Sequence, residues 1–558
     1  PPSTALRSPA QNRDILMPTT DVVVIGAGHQ GLVAAITLAD AGLKVVVVEA
    51  ADEIGGAVRS SELVRPGLVH DRYAMNMNLF LGSPFYATYG DELSSAGLEF
   101  SHCRHAYASA FPNAPSIRIS DDADENQRMW EEHDPGDAKG WRRLSEVFAD
   151  VASSYGPLSS NVFPSRSTAS VIRSVLFKRQ HTSVSELLQV MTSTTRSLGE
   201  RYFASPEARS MAAAWGMHVD FAPDVAAGAI FPLLEMYADA EHGMNVVKGG
   251  ASNLPRALAA MLSTRGVPIH TGKAVESIQV ASGRVQGVRL ADGEHITARH
   301  GILSTATLPA VVHRLLRNQP VPSSMALAAD NFRFGPGTFM LHLALSGPIP
   351  WQDSRLADSA YVHLGPYVDD MARTYQQALA GVLPDEPLLV VGQTSTVDPS
   401  RNTSEDDRLH AVWIQVRMVP AEITGDANPH GAGGDLTGRS WDEATEPFVQ
   451  RILEKLERYA PGVTESVIGH AAESPSDLQS GNANLHGGDS VSGSHHLDQF
   501  IGMRPSMSLS RYRTPIDGLY LAGASTWPGA GVNAVSGQRS AEQLVRGTTL
   551  PRRKRLPR

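Results

Sequence analysis

The stretch DVVVIGAGHQGLVAAITLADAGLKVVVVEA, residues 21–50, decides how this chain folds. Residues 21–25 (DVVVI) form a short β-branched apolar run closed by glycine, the pattern of a parallel strand buried on both faces. Residues 30–41 (QGLVAAITLADA) then carry a helical pattern, with Gly42 at the position that ends it. Residues 44–48 (KVVVV) supply a second strand that runs into Glu49. One βαβ unit is complete within the first fifty residues.

Between strand and helix stands Gly26-Ala27-Gly28-His29-Gln30-Gly31, a GxGxxG in the context that gives the pattern meaning. Gly26 permits the tight turn, Gly28 lets backbone approach a pyrophosphate, and Gly31 lets the helix pack closely on the strand. The helix N-terminus adds N–H groups and the positive end of its dipole. His29 and Gln30 open that helix. Glu49, followed by Ala50, sits where a carboxylate meets a ribose hydroxyl pair, and an acid there disfavours the 2′-phosphate of NADP. A dinucleotide site is expected.

The next motif decides which dinucleotide. Ile54-Gly55-Gly56-Ala57-Val58-Arg59 follows the second strand directly. Paired glycines let backbone approach a further stretch of a long cofactor, and Arg59 can neutralise a phosphate. This extension resembles the flavoprotein pattern rather than the nicotinamide one, so the expected cofactor is FAD, bound without a covalent link. The C-terminal block agrees. Residues 518–524 (GLYLAGA) and Pro528-Gly529-Ala530-Gly531-Val532 read as strand, glycine turn and helix start. N–H groups around Val532 and Asn533 can stabilise the negative charge that gathers near N1 of a reduced flavin.

The remaining composition bounds the reading. A chain of 558 residues accommodates two or three domains, and 42% hydrophobic with 19% charged residues is ordinary for a globular protein. A formal net charge of −10 speaks against nucleic acid as a partner. Cys103 is the only cysteine, which excludes an internal disulfide, a dithiol redox pair and a cysteine zinc site. The compressed His102-Cys103-Arg104-His105 does not suit zinc either, and no metal is expected. No apolar run spans a bilayer and no secretory signal opens the chain, so a cytoplasmic location is expected. Residues 169–180 (ASVIRSVLFKRQ) read as a basic amphipathic helix, open to a membrane-surface role or to that of an ordinary surface helix. The basic tail 551–558 suits peripheral contact with anionic lipid, or simple solvation.

Nucleotide-binding grammar occurs in three separated blocks. The expected architecture is therefore α/β, with a discontinuous Rossmann-like FAD-binding domain and a second, mixed α/β substrate domain. Its parts are a flexible extension over 1–20, FAD-binding segments at 21–89, 241–305 and 475–550, and substrate-domain segments at 90–240 and 306–474. A small antiparallel meander is expected from 267 to 290, closed by a buried strand at 301–304. Residues 476–497 read as a long loop, in which His495-His496 can overhang a substrate channel.

Together, residues 24–56, the segment 243–258 (GMNVVKGGASNLPRAL) and residues 484–541 resemble the phytoene desaturase-like branch of the FAD-dependent amine oxidase and desaturase superfamily. The resemblance implies that Val275 holds the adenine end through its backbone and that Gly523 and the 529–533 turn lie beside pyrophosphate and flavin. It also implies Trp527, Arg504 and Asn76 as residues near the flavin. The carotenoid desaturases often carry a histidine where this chain has Trp527, so an acid/base role does not transfer there. Trp527 either lines the flavin face or packs, and Arg504 either anchors a substrate carboxylate or serves structure. The implied chemistry is hydride transfer from a small organic, apolar substrate to flavin N5, with amine or amino-acid oxidation as the alternative. Oxygen, a quinone or another carrier all remain open as electron acceptor.

Overall fold

The computed structural model describes residues 19–177 and 181–548. The fingerprint folds as its pattern dictates. Strand β1 (Thr19–Ile25), helix α1 (His29–Asp40) and strand β2 (Val45–Val48) form a parallel unit, with Val22–Ile25 in register with Val45–Val48. All four residues of β2 are buried, as a strand covered on both faces requires.

The first sheet runs in the order Ile269–His270, β2, β1, His295–Ser304, Arg284–Leu290, Val275–Ala281. The ten-residue strand His295–Ser304 has two partners along one edge. Its first half pairs antiparallel with Arg284–Leu290, and its second half pairs parallel with Leu519–Leu521. That switch places Leu519–Leu521 against the strand that also pairs with β1. The meander is therefore Val275–Ala281, Arg284–Leu290 and His295–Ser304, while Ile269–His270 instead lies parallel to β2.

A second seven-stranded sheet runs Val467–Glu473, Gly337–Leu345, His410–Val419, Leu388–Gly392, Ser359–Leu364, His105–Ser109, Ile117–Ile119. It is antiparallel except where His105–Ser109 pairs with Ser359–Leu364. Its outer face packs on the helix Trp441–Glu457 through Phe339, Phe448 and Ile452. Helices from the 123–242 region cover its other side around Trp130, Trp141, Trp215 and Tyr237.

Several expected boundaries fall inside continuous structure. Thr19 and Thr20 belong to β1, and the rest of the 1–20 extension, like the 551–558 tail, lies outside the described residues. The break at 89/90 cuts the helix Pro84–Ser95, whose Phe85 and Leu93 share a core with α1. Residues 308–329 still pack on the first sheet through Leu308, Val311 and Met325. The expected loop at 476–497 opens with the helix Pro475–Gly481, held by a Ser474–Asp477 capping box. Of the 169–180 segment, the helix Arg166–Phe177 is described, with Ile172 and Phe177 exposed, whereas Lys178 and Arg179 lie outside the described residues. Among the described residues no helix is long and apolar enough to cross a membrane.

The two ends of the chain meet through Gln30. Its amide nitrogen donates to the Asn533 carbonyl at 2.5 Å, and its amide oxygen accepts from the Gly537 N–H at 2.7 Å. The terminal helix Val535–Gly547 approaches so closely that a Cβ on Gly537 would stand 2.1 Å from the Gln30 carbonyl oxygen. Gly537→Ala should therefore lower the melting temperature, by an overpacking cost of about 1–3 kcal/mol. Thermal unfolding of the purified variant checks this.

Candidate active site

Three glycine segments converge at the C-terminal ends of the central strands. Gly26, at φ 99°, makes the turn, and a Cβ on it would stand 2.1 Å from Thr305 Oγ1. A Cβ on Gly31 would stand 2.0 Å from the Gly26 carbonyl, which is the close helix–strand packing its position predicts. Gly28 differs. Its φ is −65°, and the nearest atom to an added Cβ is 3.8 Å away. Nothing in the protein requires glycine there, so the space in front of Gly28 is kept open for something else.

The N-terminus of α1 is likewise left open. No side chain caps it and its first turn holds no acid. Gly55 closes against the fingerprint, its N–H donating to the Ala27 carbonyl at 2.9 Å, and Gly56 faces Gly28 across the gap. At the terminal turn the N–H groups of Val532 and Asn533 make no hydrogen bond among the described residues. One open helix start, a glycine gap and unpaired N–H groups suit an anionic, extended cofactor, and they fit FAD.

Each expected binding residue has a definite place. Gly28, His29, Gln30, Gly31, Gly56, Ala57, Gly523, Gly531 and Val532 all line one cleft, together with Asn76. Glu49 accepts from Ala27 N–H at 2.6 Å and Ala51 N–H at 2.9 Å, which fixes its carboxylate at the edge of the fingerprint with lone pairs to spare. Ala50 beside it is exposed. Val275 opens its strand two residues after Lys273, whose N–H donates to the Glu49 carbonyl at 2.8 Å. Burial lowers the His29 pKa to about 4, so the ring that opens α1 is neutral. Arg59 is buried against Glu53 at 2.9 Å, and its Nε has no hydrogen-bond partner.

Two of the three residues implied near the flavin do not reach the cleft wall. Trp527 is fully buried between Phe163 and Phe500, its Nε1 donating to the Asn161 carbonyl at 3.2 Å; it packs. Arg504 is fully buried and donates to the carbonyls of Ser494 at 2.8 Å and Ala524 at 2.7 Å. Further carbonyls at 491–493 take the rest of its guanidinium, so it holds a loop rather than a substrate carboxylate. His495 does not overhang a channel either. It sits under the terminal turn and accepts from the Ala530 N–H at 3.1 Å, while His496 bonds Tyr375. Cys103 is buried on the strand Phe100–Cys103 and its thiol pKa is pushed up to about 11, away from any covalent role at the cleft.

Other parts of the cleft carry residues that motif reading does not reach. Strand His410–Val419 alternates Val412, Ile414 and Val416 toward one core with Trp413, Gln415 and Arg417 toward the cleft. Tyr361 and Trp413 stack at 5.6 Å with ring planes 9° apart. They stand on strands separated by Leu388–Gly392, and Gly392 is the residue paired with both. A Cβ there would stand 2.8 Å from the Trp413 ring, so glycine lets the two rings close over it. Trp215 and His218, from the end of helix Pro206–Met217, complete the wall. A tryptophan, a glutamine and an arginine two residues apart, in a run otherwise of valine and isoleucine, is the sequence signal that points to this wall.

Glu235, on helix Ile230–His242, also lines the cleft. Burial and the charge of Asp239, one turn on, push its pKa well above the usual carboxylate range. Asp239 is raised as well, chiefly by burial, and is held by Asn78 at 2.8 Å and Asn76 at 3.4 Å. Asn76 thus joins the cleft to this carboxyl pair.

The profile of one family, described as flavin containing amine oxidoreductase, matches residues 31–545. The chain belongs to that family. It is an FAD-dependent oxidoreductase. Pyridine nucleotide-disulfide oxidoreductase domain-containing protein 2 of Rattus norvegicus is 28% identical over 582 residues, covering 95% of this chain and 94% of that protein. A phytoene desaturase of Fusarium fujikuroi is 25% identical over 547 residues, covering 94% and 89%. The solved structure of cyclohexylamine oxidase from Brevibacterium oxydans IH-35A aligns with a TM-score of 0.56 at 16% identity, covering 95% and 99%. That likeness shows the shared fold, a Rossmann-like FAD-binding domain with a second α/β part.

The purified protein should show the flavin absorbance bands and release free FAD on heating. Gly28→Ala should leave the stability of the FAD-free protein within about 1 kcal/mol, since its Cβ meets no protein atom closely. The same variant should retain markedly less flavin per chain, measured by absorbance after desalting.

Proposed function

We propose that this enzyme dehydrogenates an organic, predominantly apolar substrate, leaving a double bond. The observation that carries the reading is the aromatic wall of Trp215, Tyr361 and Trp413, facing the glycine segments across one continuous cleft. Such a wall binds apolar carbon and keeps water out. Bound FAD supplies a hydride acceptor at flavin N5. In this reading the open start of α1, with Gly28 and Gly56, holds the pyrophosphate, and Glu49 meets the ribose. The N–H groups of Val532 and Asn533 serve the flavin end.

The chain's own part in the chemistry is to orient carbon and to accept a proton. Glu235 is the cleft carboxyl suited to that proton, because desolvation raises its basicity toward neutral pH. One observation favours amine oxidation as a second reading. The Tyr361–Trp413 pair together with the Glu235 carboxyl has the character of a site for an ammonium group.

Anaerobic mixing of the holoenzyme with linear isoprenoid or long-chain acyl compounds should bleach the flavin, whereas simple alkylamines should not. Bleaching by amines alone, with hydrogen peroxide formed in air, would sink the dehydrogenase reading. Glu235→Gln should lower kcat by roughly 10²–10⁴-fold. In the wild type kcat/KM should climb as pH passes upward through the raised Glu235 pKa, because only the ionised carboxylate accepts a proton. That acid limb should vanish in the variant's pH profile.

A further inference from the structure

We propose that Arg417, with His218 and Gln415, forms an anion subsite on the cleft wall, taking the carboxylate of a substrate whose apolar body lies along the aromatic wall. The proposal rests on the reading of this cleft as the substrate site and narrows it to apolar acids. Arg417 is 4% exposed. Its Nε donates to the Met217 carbonyl at 3.2 Å, and its Nη1 to Ser490 Oγ at 2.5 Å and Thr338 Oγ1 at 3.3 Å. Among the described residues its Nη2 makes no hydrogen bond and no carboxylate comes within 4.0 Å of the guanidinium.

Two carboxylates stand further off, and both are already engaged. Asp220 accepts from the Tyr375 and Ser494 hydroxyls, and Asp489 accepts from the N–H groups of Gly335, Val491 and Gly493. Burial lowers the Arg417 pKa only to about 10, so the group is a cation at neutral pH. A buried cation without a paired anion is costly, and an arriving carboxylate removes that cost while gaining charge-assisted hydrogen bonds.

The neighbours add donors. His218 and His363 share a hydrogen bond between their Nε2 atoms at 3.0 Å, and burial keeps both rings neutral. The His363 Nδ1 is buried with no partner. A bare ring nitrogen is tolerated there better than an unmatched N–H, so His363 donates through Nε2. His218 then carries its proton on Nδ1, as a free donor on the cleft wall. Gln415, 8% exposed on the same strand face, makes no side-chain hydrogen bond among the described residues and offers its amide. Three donor groups without an acceptor, the Nη2 of Arg417, the Nδ1–H of His218 and the Gln415 amide, define a site for an anionic oxygen group.

The holoenzyme is titrated with dodecanoate, dodecan-1-ol and dodecylamine, with binding read from shifts in the flavin bands and from calorimetry. The expected result is at least about tenfold tighter binding of the acid than of the alcohol. Arg417→Gln should abolish that preference while leaving the alcohol unchanged. Should Arg417→Gln lose its flavin, His218→Phe serves instead and should weaken the acid alone. Equal binding of acid and alcohol by the wild type overturns the proposal, as does tighter binding of the amine or no binding of any of the three. A wild-type protein that takes up no FAD would instead overturn the functional reading beneath it.

Discussion

The side-chain amide of Gln30 is the contact on which the cofactor half of the molecule depends. It joins residues 503 positions apart, donating to the Asn533 carbonyl and accepting from the Gly537 N–H. Both partners belong to the start of the terminal helix, so the clamp brings two helix N-termini to one place. Helix dipoles add only where their ends are close to the same ligand, because the effect fades within a turn. Gly537 supplies the close approach and Gln30 the register. Both groups of the amide are used, and both are buried, so a substitution at this position leaves unpaired polar atoms.

From that junction the cleft runs between two environments of different character. The cofactor side is built of backbone, with glycines that keep Cβ atoms out and N–H groups that remain unpaired. The substrate side is built of side chains on the second sheet. Gly392 lets Tyr361 and Trp413 stack, and the alternation of one strand places Gln415 and Arg417 on the same face as Trp413. Arg417 and Glu235 give this wall a cation and an acid at separate positions, the acid's pKa raised by burial and by Asp239. Such a wall is polar only at particular points, and those points set orientation.

Arg504 and Arg417 differ in a way that local sequence does not show. Both are buried arginines, and the resemblance implies Arg504 near the flavin. The structure wraps Arg504 in backbone carbonyls and leaves Arg417 with an unused Nη2. A sequence shows the charge of each but not which one the fold has already satisfied. Trp527 is similar: its position beside the glycine turn is legible, whereas its burial between Phe163 and Phe500 depends on segments more than twenty and more than three hundred residues away.

What the sequence by itself determined was the cofactor half. Gly26, Gly28, Gly31, Glu49 and the Gly55-Gly56 pair stand at short, fixed spacings around one strand–turn–helix unit, so their spacing alone reveals them. The βαβ unit and the FAD cofactor follow from the same local patterns. Only the tertiary structure decided the substrate wall. Tyr361, Trp413, Trp215, His218, Glu235 and Arg417 come from four separate elements, and their meeting depends on sheet register and helix packing over long separations. Local patterns carry backbone turns. They do not carry which distant faces will share a cavity, because that is set by packing across the whole fold.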